Sequence, residues 1–206
     1  MLSGLYVITD GSTGNTLLEK VEQALLGGAA LIQYRDKTSD PLRREQEAAA
    51  LRSLCQAHNA LLIINDDIHL AKTVQADGVH VGKDDAALLA ARDYLGKKSI
   101  IGVSCYNRLE LAEVAAAQGA DYVAFGSFFP SPTKPEATRA SLALLQTARA
   151  RLSLPICAIG GITLAEAPVL LANGADMLAV ITDVLGNPDI RQQASLYQQQ
   201  FVRQAG

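Results

Sequence analysis

Short apolar runs alternate with longer segments of helical periodicity along the whole chain. The apolar runs span 5–9, 31–34, 61–64, 78–81, 100–103, 122–125, 156–159 and 178–181. Segments rich in Ala and Leu lie between them with helical spacing, at 17–26, 42–57, 110–117, 141–150 and 166–172. This alternation is typical of β–α–β units, whose strands run parallel. We therefore predict an α/β fold.

The number of strands decides between the two common parallel architectures. Eight strand–helix units are the count for a closed (β/α)₈ TIM barrel, whereas an open doubly wound sheet usually stops near five or six strands. The 206 residues are at the short end for one such barrel and rather many for two small domains. We predict one barrel domain over residues 1–206.

A repeated phrase of small residues precedes every second predicted strand. In three of its four copies a Gly stands where a left-handed residue closes a helix, and the neighbouring small residues suit a tight turn. The copies are Gly28-Ala29-Ala30-Leu31, Ala76-Asp77-Gly78-Val79, Gly119-Ala120-Asp121-Tyr122 and Gly174-Ala175-Asp176-Met177. At the amino-terminal face of a barrel such turns serve stability.

Composition excludes several classes of protein. Apolar residues make up 49% of the chain and charged residues 19%, so a sizeable core is expected and disorder is not. The formal net charge is −3 and the basic residues are dispersed, which argues against a nucleic-acid partner. Local cations can still bind anionic small molecules. The sequence gives no indication of an oligomeric state.

Nothing in the sequence indicates export or membrane insertion. The first residues carry no basic segment and no long apolar run, and no stretch is long enough to span a bilayer. Cys55, Cys105 and Cys157 are widely spaced in apolar surroundings, as expected of buried thiols in a reducing compartment. We expect a cytoplasmic protein with no membrane partner.

Polar residues follow all eight predicted strands, and the carboxyl ends of barrel strands are where active sites lie. Near the second strand, Gln33, Arg35 and Lys37 alternate, so they can face the barrel mouth while Tyr34 and Asp36 face outward. An amide, a guanidinium and an ammonium suit a diphosphate joined to a polar ring. The alternative is a solvated strand end with a surface ion pair.

Acidic residues follow the third and fourth strands, in Asn65-Asp66-Asp67 and Lys83-Asp84-Asp85. Oxygen ligands without a convergent His or Cys favour Mg²⁺ over zinc, and Mg²⁺ typically takes one or two carboxylates with substrate phosphate oxygens. We predict Asp66 and Asp85 as metal ligands. Helix capping is the alternative for both, and we expect Asp67 and Asp84 to cap helices or face solvent.

Two further loops have the composition of anion sites. The Pro-rich stretch after the sixth strand could close over the mouth and present Thr133 and Lys134, or it could be an ordinary loop. Gly160-Gly161 and Thr182 end the seventh and eighth strands, where barrels often bind phosphate on backbone N–H groups. His58, His69 and His80 are interpreted as structural, because no catalytic constellation includes them.

Taken in order, these motifs resemble the thiamine phosphate synthase family over essentially the whole chain. The matching phrases are 5–10, 33–37, 64–67, 77–85, 102–104, 129–134, 159–162 and 174–176. The resemblance implies a (β/α)₈ barrel that joins hydroxymethylpyrimidine diphosphate to a thiazole phosphate and releases diphosphate. It also implies that the carbon–oxygen bond of the pyrimidine ionises first and that Mg²⁺ assists the departing diphosphate.

The resemblance implies a role for each matching residue. The segment Gln33-Tyr34-Arg35-Asp36-Lys37, with Asn65, would hold the pyrimidine diphosphate, and Asp66 and Asp85 would hold Mg²⁺. The thiazole phosphate would be held by Ser131, Pro132, Thr133, Gly161, Ile181 and Thr182. The implied catalytic residues are Arg35, Lys37, Ser104, which meets the pyrimidine, and Lys134, which meets the diphosphate.

Three positions depart from the resemblance. Ser131 stands where members commonly carry Thr, and Thr182 where they commonly carry Ser, so each keeps a hydroxyl. Tyr106 replaces a common His, so the resemblance does not specify the contacts on that side of the pocket.

The alternative functions are those of thiazole tautomerases, non-catalytic phosphate-binding barrels and sugar-phosphate isomerases. The retained Gln33, Arg35, Lys37, Asn65 and Asp66 argue against the first two.

Overall fold

The computed structural model describes residues 2–82, 85–130 and 138–204, without the side chains of Asp85, Ala86 and Gln204. In this part of the chain, parallel strands pair in chain order and the last pairs with the first. The strands are β1 (Gly4–Ile8), β2 (Leu31–Tyr34), β3 (Leu61–Asn65), β4 (Gly78–Val81), β5 (Ile100–Tyr106), β6 (Tyr122–Phe125), β7 (Ile156–Ile159) and β8 (Met177–Val180). The predicted (β/α)₈ barrel is confirmed.

Helices surround the barrel, and at least one follows each strand. They are α1 (Gly14–Leu26), α2 (Pro41–Ala57), α3 (Ile68–Thr73), α4 (Asp85–Leu95), α5 (Leu109–Ala117), α6 (Leu142–Arg151), α7 (Ala167–Ala172), α8 (Thr182–Leu185) and α9 (Ile190–Gln204). Capping explains some of the boundaries: the Asp40 side chain accepts from the Arg43 N–H to begin α2. In the described ranges, no helix is long and apolar enough to cross a membrane.

Strand boundaries agree with prediction to within one residue, except in β5. This strand continues to Tyr106, and its register against β6 shifts between Ser104 and Tyr106. The extension was not predicted because Ser104-Cys105-Tyr106 does not continue the apolar run. The three predicted left-handed glycines, Gly28, Gly119 and Gly174, all have positive φ.

The buried residues form two layers, as strand alternation requires. One layer fills the space between barrel and helices and includes Leu51, Leu62 and Leu145. The other fills the barrel interior and includes Tyr6, Ile63 and Tyr122. All three cysteines are buried and free, as predicted.

The repeated phrase before alternate strands has a structural counterpart at the amino-terminal face. In three copies the Asp carboxylate accepts a strand N–H and also pairs with an Arg of an outer helix. The pairs are Arg52–Asp77 (2.8 Å), Arg92–Asp121 (2.6 Å) and Arg149–Asp176 (2.8 Å). The first copy has Ala30 instead, and Gln198 of α9 packs beside its Gly28. Three of the four copies therefore have the same kind of polar anchor, an Asp that binds both a strand N–H and an Arg.

Candidate active site at the carboxyl ends of the strands

A cavity of about 790 Å³ opens at the carboxyl ends of the strands. Residues from all eight strands line its inner part, and the loops after β6, β7 and β8 line much of its mouth. Of the residues predicted from the sequence, the cavity wall includes Gln33, Arg35, Asn65, Ser104, Gly161, Ile181 and Thr182. Residues up to 149 positions from Gln33 along the chain thus share one cavity.

The end of β2 follows the predicted alternation. Gln33 and Arg35 line the cavity, while Tyr34 points outward, where its hydroxyl donates to Glu47 Oε2 at 2.7 Å. Burial, followed by the neighbouring Glu47 carboxylate, raises the pKa of Tyr34, so its phenol stays protonated. Thr9 fixes the Arg35 backbone, because the Arg35 N–H donates to Thr9 Oγ1 at 2.9 Å.

The loop after β2 is organised by Asp36. Its carboxylate accepts from the Thr38 backbone N–H at 2.7 Å and pairs with Arg43 at 2.6 Å. Burial opposes ionisation, but the bonds from Thr38 and the ion pair with Arg43 outweigh it and lower the pKa of Asp36. Tyr34 and Asp36 are not among the cavity-lining residues, and neither is Lys37, which was predicted to face the mouth and is exposed. The structure therefore gives Tyr34 and Asp36 side-chain partners on the outer side of the loop.

The three residues that close β3 have separate positions. Asn65 lines the cavity, and its amide donates to Asp66 Oδ2 at 2.7 Å. Asp66 is exposed, with a left-handed φ of 61°, and its N–H donates to the His80 carbonyl. Asp67 caps α3 by accepting from the Leu70 N–H. Capping was one of the two roles predicted for it, the other being exposure to solvent. Asp66 does not cap α3.

The donor set at the end of β3 fits Mg²⁺. Asp66 offers a carboxylate, and Asn65 holds one of its oxygens at the edge of the cavity. The structure as described contains no group of three or more His, Cys, Asp or Glu side chains that could hold a metal. Mg²⁺ needs only one or two protein carboxylates alongside substrate oxygens. The side chain of the other predicted ligand, Asp85, lies outside the described residues.

Polar side chains cross the barrel interior in a continuous chain of hydrogen bonds, here called the interior chain. Gln33 Nε2 lies 2.8 Å from the Tyr6 hydroxyl, which is 2.9 Å from the Tyr122 hydroxyl. The Tyr122 hydroxyl is 2.9 Å from His80 Nδ1, and His80 Nε2 is 2.8 Å from Ser104 Oγ. The chain satisfies polar atoms that burial would otherwise leave unpaired.

His80 departs most from the sequence-based interpretation. It lines the cavity and contacts the predicted catalytic residue Ser104, in addition to its structural place in β4. Burial lowers the pKa of His80 to about 4, so the ring is neutral near pH 7. Tyr6 also lines the cavity and, like Tyr122, was not singled out from the sequence. The available signal was the strand alternation, which puts a Tyr or His on the inward side of β1, β4 and β6.

The loops after β7 and β8 form the opposite wall. Gly161 has a φ of 63°, and a side chain there would collide with the carbonyl groups of Phe129 and Pro130. The backbone at this point therefore requires glycine. Asp183 ties the wall to the outer layer, since it accepts from the Tyr197 hydroxyl at 2.7 Å and from the Leu164 N–H at 3.1 Å.

Two predictions at the mouth have different outcomes. Ser131, Pro132, Thr133 and Lys134 lie outside the described residues, so their predicted contacts with ligand remain predictions. Tyr106, at the position that departs from the family resemblance, lines the cavity with a positive φ of 53° and is half exposed. An aromatic ring thus stands on this side of the mouth.

A closed barrel with a cavity at the carboxyl ends of its strands defines the class of TIM-barrel enzymes. The family model described as thiamine monophosphate synthase matches residues 5–184, and the chain belongs to this family. The resemblance inferred from the sequence motifs is confirmed.

Curated relatives and a solved structure extend over nearly the whole chain. The thiamine-phosphate synthase of Azoarcus sp. (strain BH72) is 54% identical over 97% of this chain and 98% of its own. That of Thioalkalivibrio sulfidiphilus is 53% identical over 91% and 90%. The solved thiamine phosphate pyrophosphorylase from Pyrococcus furiosus has a TM-score of 0.89 and 34% identity, covering 98% of this chain and 97% of its own.

Proposed function

We propose that the chain is a thiamine phosphate synthase that joins hydroxymethylpyrimidine diphosphate to a thiazole phosphate and releases diphosphate. One observation carries this proposal: the two predicted anion sites share one cavity. Gln33 and Arg35 line one wall, and Gly161 and Thr182 line the other. Two anionic ligands bound at these walls would meet at their reactive ends, as a condensation requires.

Each wall has a distinct task in the proposed reaction. Arg35 makes no ion pair with any described carboxylate, so its guanidinium is available to the diphosphate, with Lys37 and Lys134 as further cations. Gln33, Asn65 and Ser104 would orient the pyrimidine. Gly161, Ile181 and Thr182, with Ser131, Pro132 and Thr133, would hold the thiazole phosphate. Tyr34 and Asp36 would act through the loop that carries Arg35 and Lys37.

Mg²⁺ belongs to the proposal, with Asp66 and Asp85 as its protein ligands. When bound, it would neutralise charge on the departing diphosphate. The chain's own residues do the rest: Arg35 and Lys37 stabilise the negative charge that develops, and Ser104 holds the ring that becomes cationic. The core cluster of the barrel interior is otherwise apolar, apart from the hydroxyl groups of the interior chain. No strong general base is needed, which agrees with the lowered pKa of His80, because burial makes its imidazole a weak base. A cytoplasmic location completes the proposal.

The decisive experiment is to incubate the purified protein with both precursors, with and without Mg²⁺, and to measure thiamine phosphate and diphosphate. We expect both products in equal amounts, only when Mg²⁺ and both precursors are present. Omission of either precursor is the control for hydrolysis of the diphosphate. If no thiamine phosphate forms under any condition, the proposed function is wrong.

A further inference from the structure

The interior chain joins two cavity residues through three buried ones. Gln33 and Ser104 stand at its ends, on β2 and β5, and both line the cavity. Tyr6, Tyr122 and His80 connect them, and these three are at most 8% exposed. Their four hydrogen bonds, all between 2.8 and 2.9 Å, lie within the range of good geometry.

With the Gln33 amide nitrogen facing Tyr6, one arrangement of hydrogens satisfies every group of this chain. The Gln33 amide nitrogen can only donate, so the Tyr6 oxygen accepts from it. Among the described residues, the other hydrogen-bond partner of the Tyr6 hydroxyl is Tyr122, so the arrangement that uses the single hydrogen of Tyr6 has Tyr6 donating to Tyr122. Tyr122 then donates to His80 Nδ1. A neutral imidazole with an accepting Nδ1 carries its hydrogen on Nε2.

The last bond determines what Ser104 offers to a ligand. The His80 Nε2–H donates to Ser104 Oγ, so the hydrogen of the Ser104 hydroxyl is not used in the chain. At the other end, one hydrogen of the Gln33 nitrogen is donated to Tyr6, and the amide oxygen lies on the other arm of the group, away from Tyr6. The two ends are therefore complementary: Gln33 offers an acceptor and Ser104 a donor.

We propose that Tyr6, Tyr122 and His80 are positioning residues that couple the hydrogen-bonding polarity of Gln33 to that of Ser104, and so select an amino-substituted pyrimidine over its oxo counterpart. The inference rests on the proposed function for the identity of the ligand. An aminopyrimidine offers an amino donor and a ring-nitrogen acceptor, which matches an acceptor at Gln33 and a donor at Ser104. The oxo form offers the reverse pattern.

The coupling explains why the oxo form could not be accommodated locally. Rotating the Gln33 amide by half a turn would present its oxygen to Tyr6, and all four bonds would have to reverse. His80 would then carry its hydrogen on Nδ1, and Ser104 would donate to Nε2. A site that leaves buried polar groups unpaired with the wrong ligand discriminates far more strongly than an apolar one.

The polarity is tested first without any substrate. Nitrogen-15 NMR of the free protein should show His80 protonated on Nε2, with His58 and His69 assigned by substitution. Gln33→Met, which neither donates nor accepts strongly, should give a mixture of His80 tautomers. Tyr94→Phe is the matched control, because it removes a tyrosine–histidine bond on the surface, to His69 at 3.1 Å. A wild-type Nδ1–H tautomer, or a tautomer unchanged by Gln33→Met, would overturn the proposal.

The selection is tested by kinetics with the amino and oxo forms of the pyrimidine diphosphate. Tyr122→Phe should reduce the preference for the amino form by about tenfold or more, with KM for the thiazole phosphate unchanged. Tyr6→Phe, which leaves both His80 bonds intact, provides a second variant should Tyr122→Phe fold poorly. Tyr94→Phe should behave as wild type. An unchanged preference in a folded, active Tyr6→Phe or Tyr122→Phe variant would overturn the inference. An inactive wild type would instead refute the proposed function, and the NMR result would still decide the polarity.

Discussion

Neighbouring carboxylates can have unrelated roles, and Asp66 and Asp67 are an example. Asp67 accepts from the Leu70 N–H at 2.9 Å and pairs with Arg44 at 2.8 Å, so it stabilises the start of α3. Asp66 makes neither contact and is exposed beside the cavity residue Asn65. The local sequence alone left capping open for both residues. The side-chain contacts distinguish them.

We predict opposite effects for substitutions at these two positions. Asp67→Ala should lower the free energy of unfolding by about 1 kcal/mol, because a helix loses its N-cap. Asp66→Asn, which keeps a side chain that tolerates the left-handed backbone, should leave stability nearly unchanged. It should reduce Mg²⁺-dependent turnover by about a hundredfold. Urea unfolding and steady-state kinetics test the pair, and a destabilised but fully active Asp66→Asn would contradict the metal assignment.

Glu47 is a buried carboxylate that holds two loops of the mouth. One oxygen accepts from the Gly14 N–H at 2.7 Å, at the start of α1, and the other accepts from the Tyr34 hydroxyl at 2.7 Å. Glu47→Gln replaces one acceptor by a donor, so one of these partners faces an N–H group. We predict a loss of about 1–3 kcal/mol in the free energy of unfolding, measured in urea.

A double-mutant cycle identifies which bond is responsible for this loss. If Tyr34 and Glu47 interact as the structure shows, Tyr34→Phe and Glu47→Gln together should cost less than the sum of the single variants. Simple additivity would show that the Tyr34 bond does not account for the effect of Glu47→Gln, which would then come from the Gly14 bond and the Arg43 pair.

At the residue scale, strand alternation predicted much of the site but not the buried residues of the interior chain. Alternation correctly put Gln33 and Arg35 inward and Tyr34 outward. It did not identify His80 or Tyr6, because a lone His or Tyr in a strand is usually a core residue. Their importance comes from contacts between strands that are distant in the chain, such as Tyr6 with Tyr122, and these depend on barrel closure.

At the scale of elements, the Arg–Asp anchors show how side chains fix strand ends. Each Asp bonds a strand N–H and an Arg from a helix at least 25 residues earlier in the chain. The sequence indicated the tight turns through their glycines, but not the Arg partners. Helix-to-strand distances become short only after the barrel forms, so the pairs could not be predicted from local pattern.

We predict that Arg149→Ala lowers the free energy of unfolding by about 1–2 kcal/mol, since Arg149 bonds Asp176 and the carbonyl oxygens of Leu152 and Leu154. The matched control is Arg151→Ala on the same helix, whose pair with Glu113 is largely exposed. That substitution should change stability by less than about 0.5 kcal/mol. Urea unfolding measures both, and equal losses would indicate that helix propensity, not the anchor, is responsible.

For the whole molecule, closure of the barrel brings the residues of the two predicted anion sites into one cavity. The order of strands and the position of the site at their carboxyl ends followed from the sequence, since both are properties of the fold class. The interior chain beneath the site did not follow from the sequence. It needs the inward side chains of β1, β2, β4, β5 and β6 at hydrogen-bond distance, and barrel geometry sets those distances.

The two walls should respond separately to ligands. Inorganic diphosphate should raise the melting temperature only with Mg²⁺, and the thiazole phosphate should raise it without the metal. A ligand at a hundred times its dissociation constant adds about 2.7 kcal/mol of stability, or roughly 5–10 °C for a chain of this size. Asp66→Asn should abolish the first shift alone. Gly161→Ala should abolish the second alone, because its side chain would collide with the Phe129 and Pro130 carbonyls.

Thermal unfolding of wild type and both variants, with each ligand in turn, tests this division. The ligand-free variants serve as references, so any intrinsic destabilisation by Gly161→Ala is subtracted from its ligand-induced shift. If either substitution weakens both shifts equally, the two ligands occupy one overlapping site. A condensation in this cavity would then require sequential binding at that site. Selective loss in each variant would instead support simultaneous occupancy of the two walls.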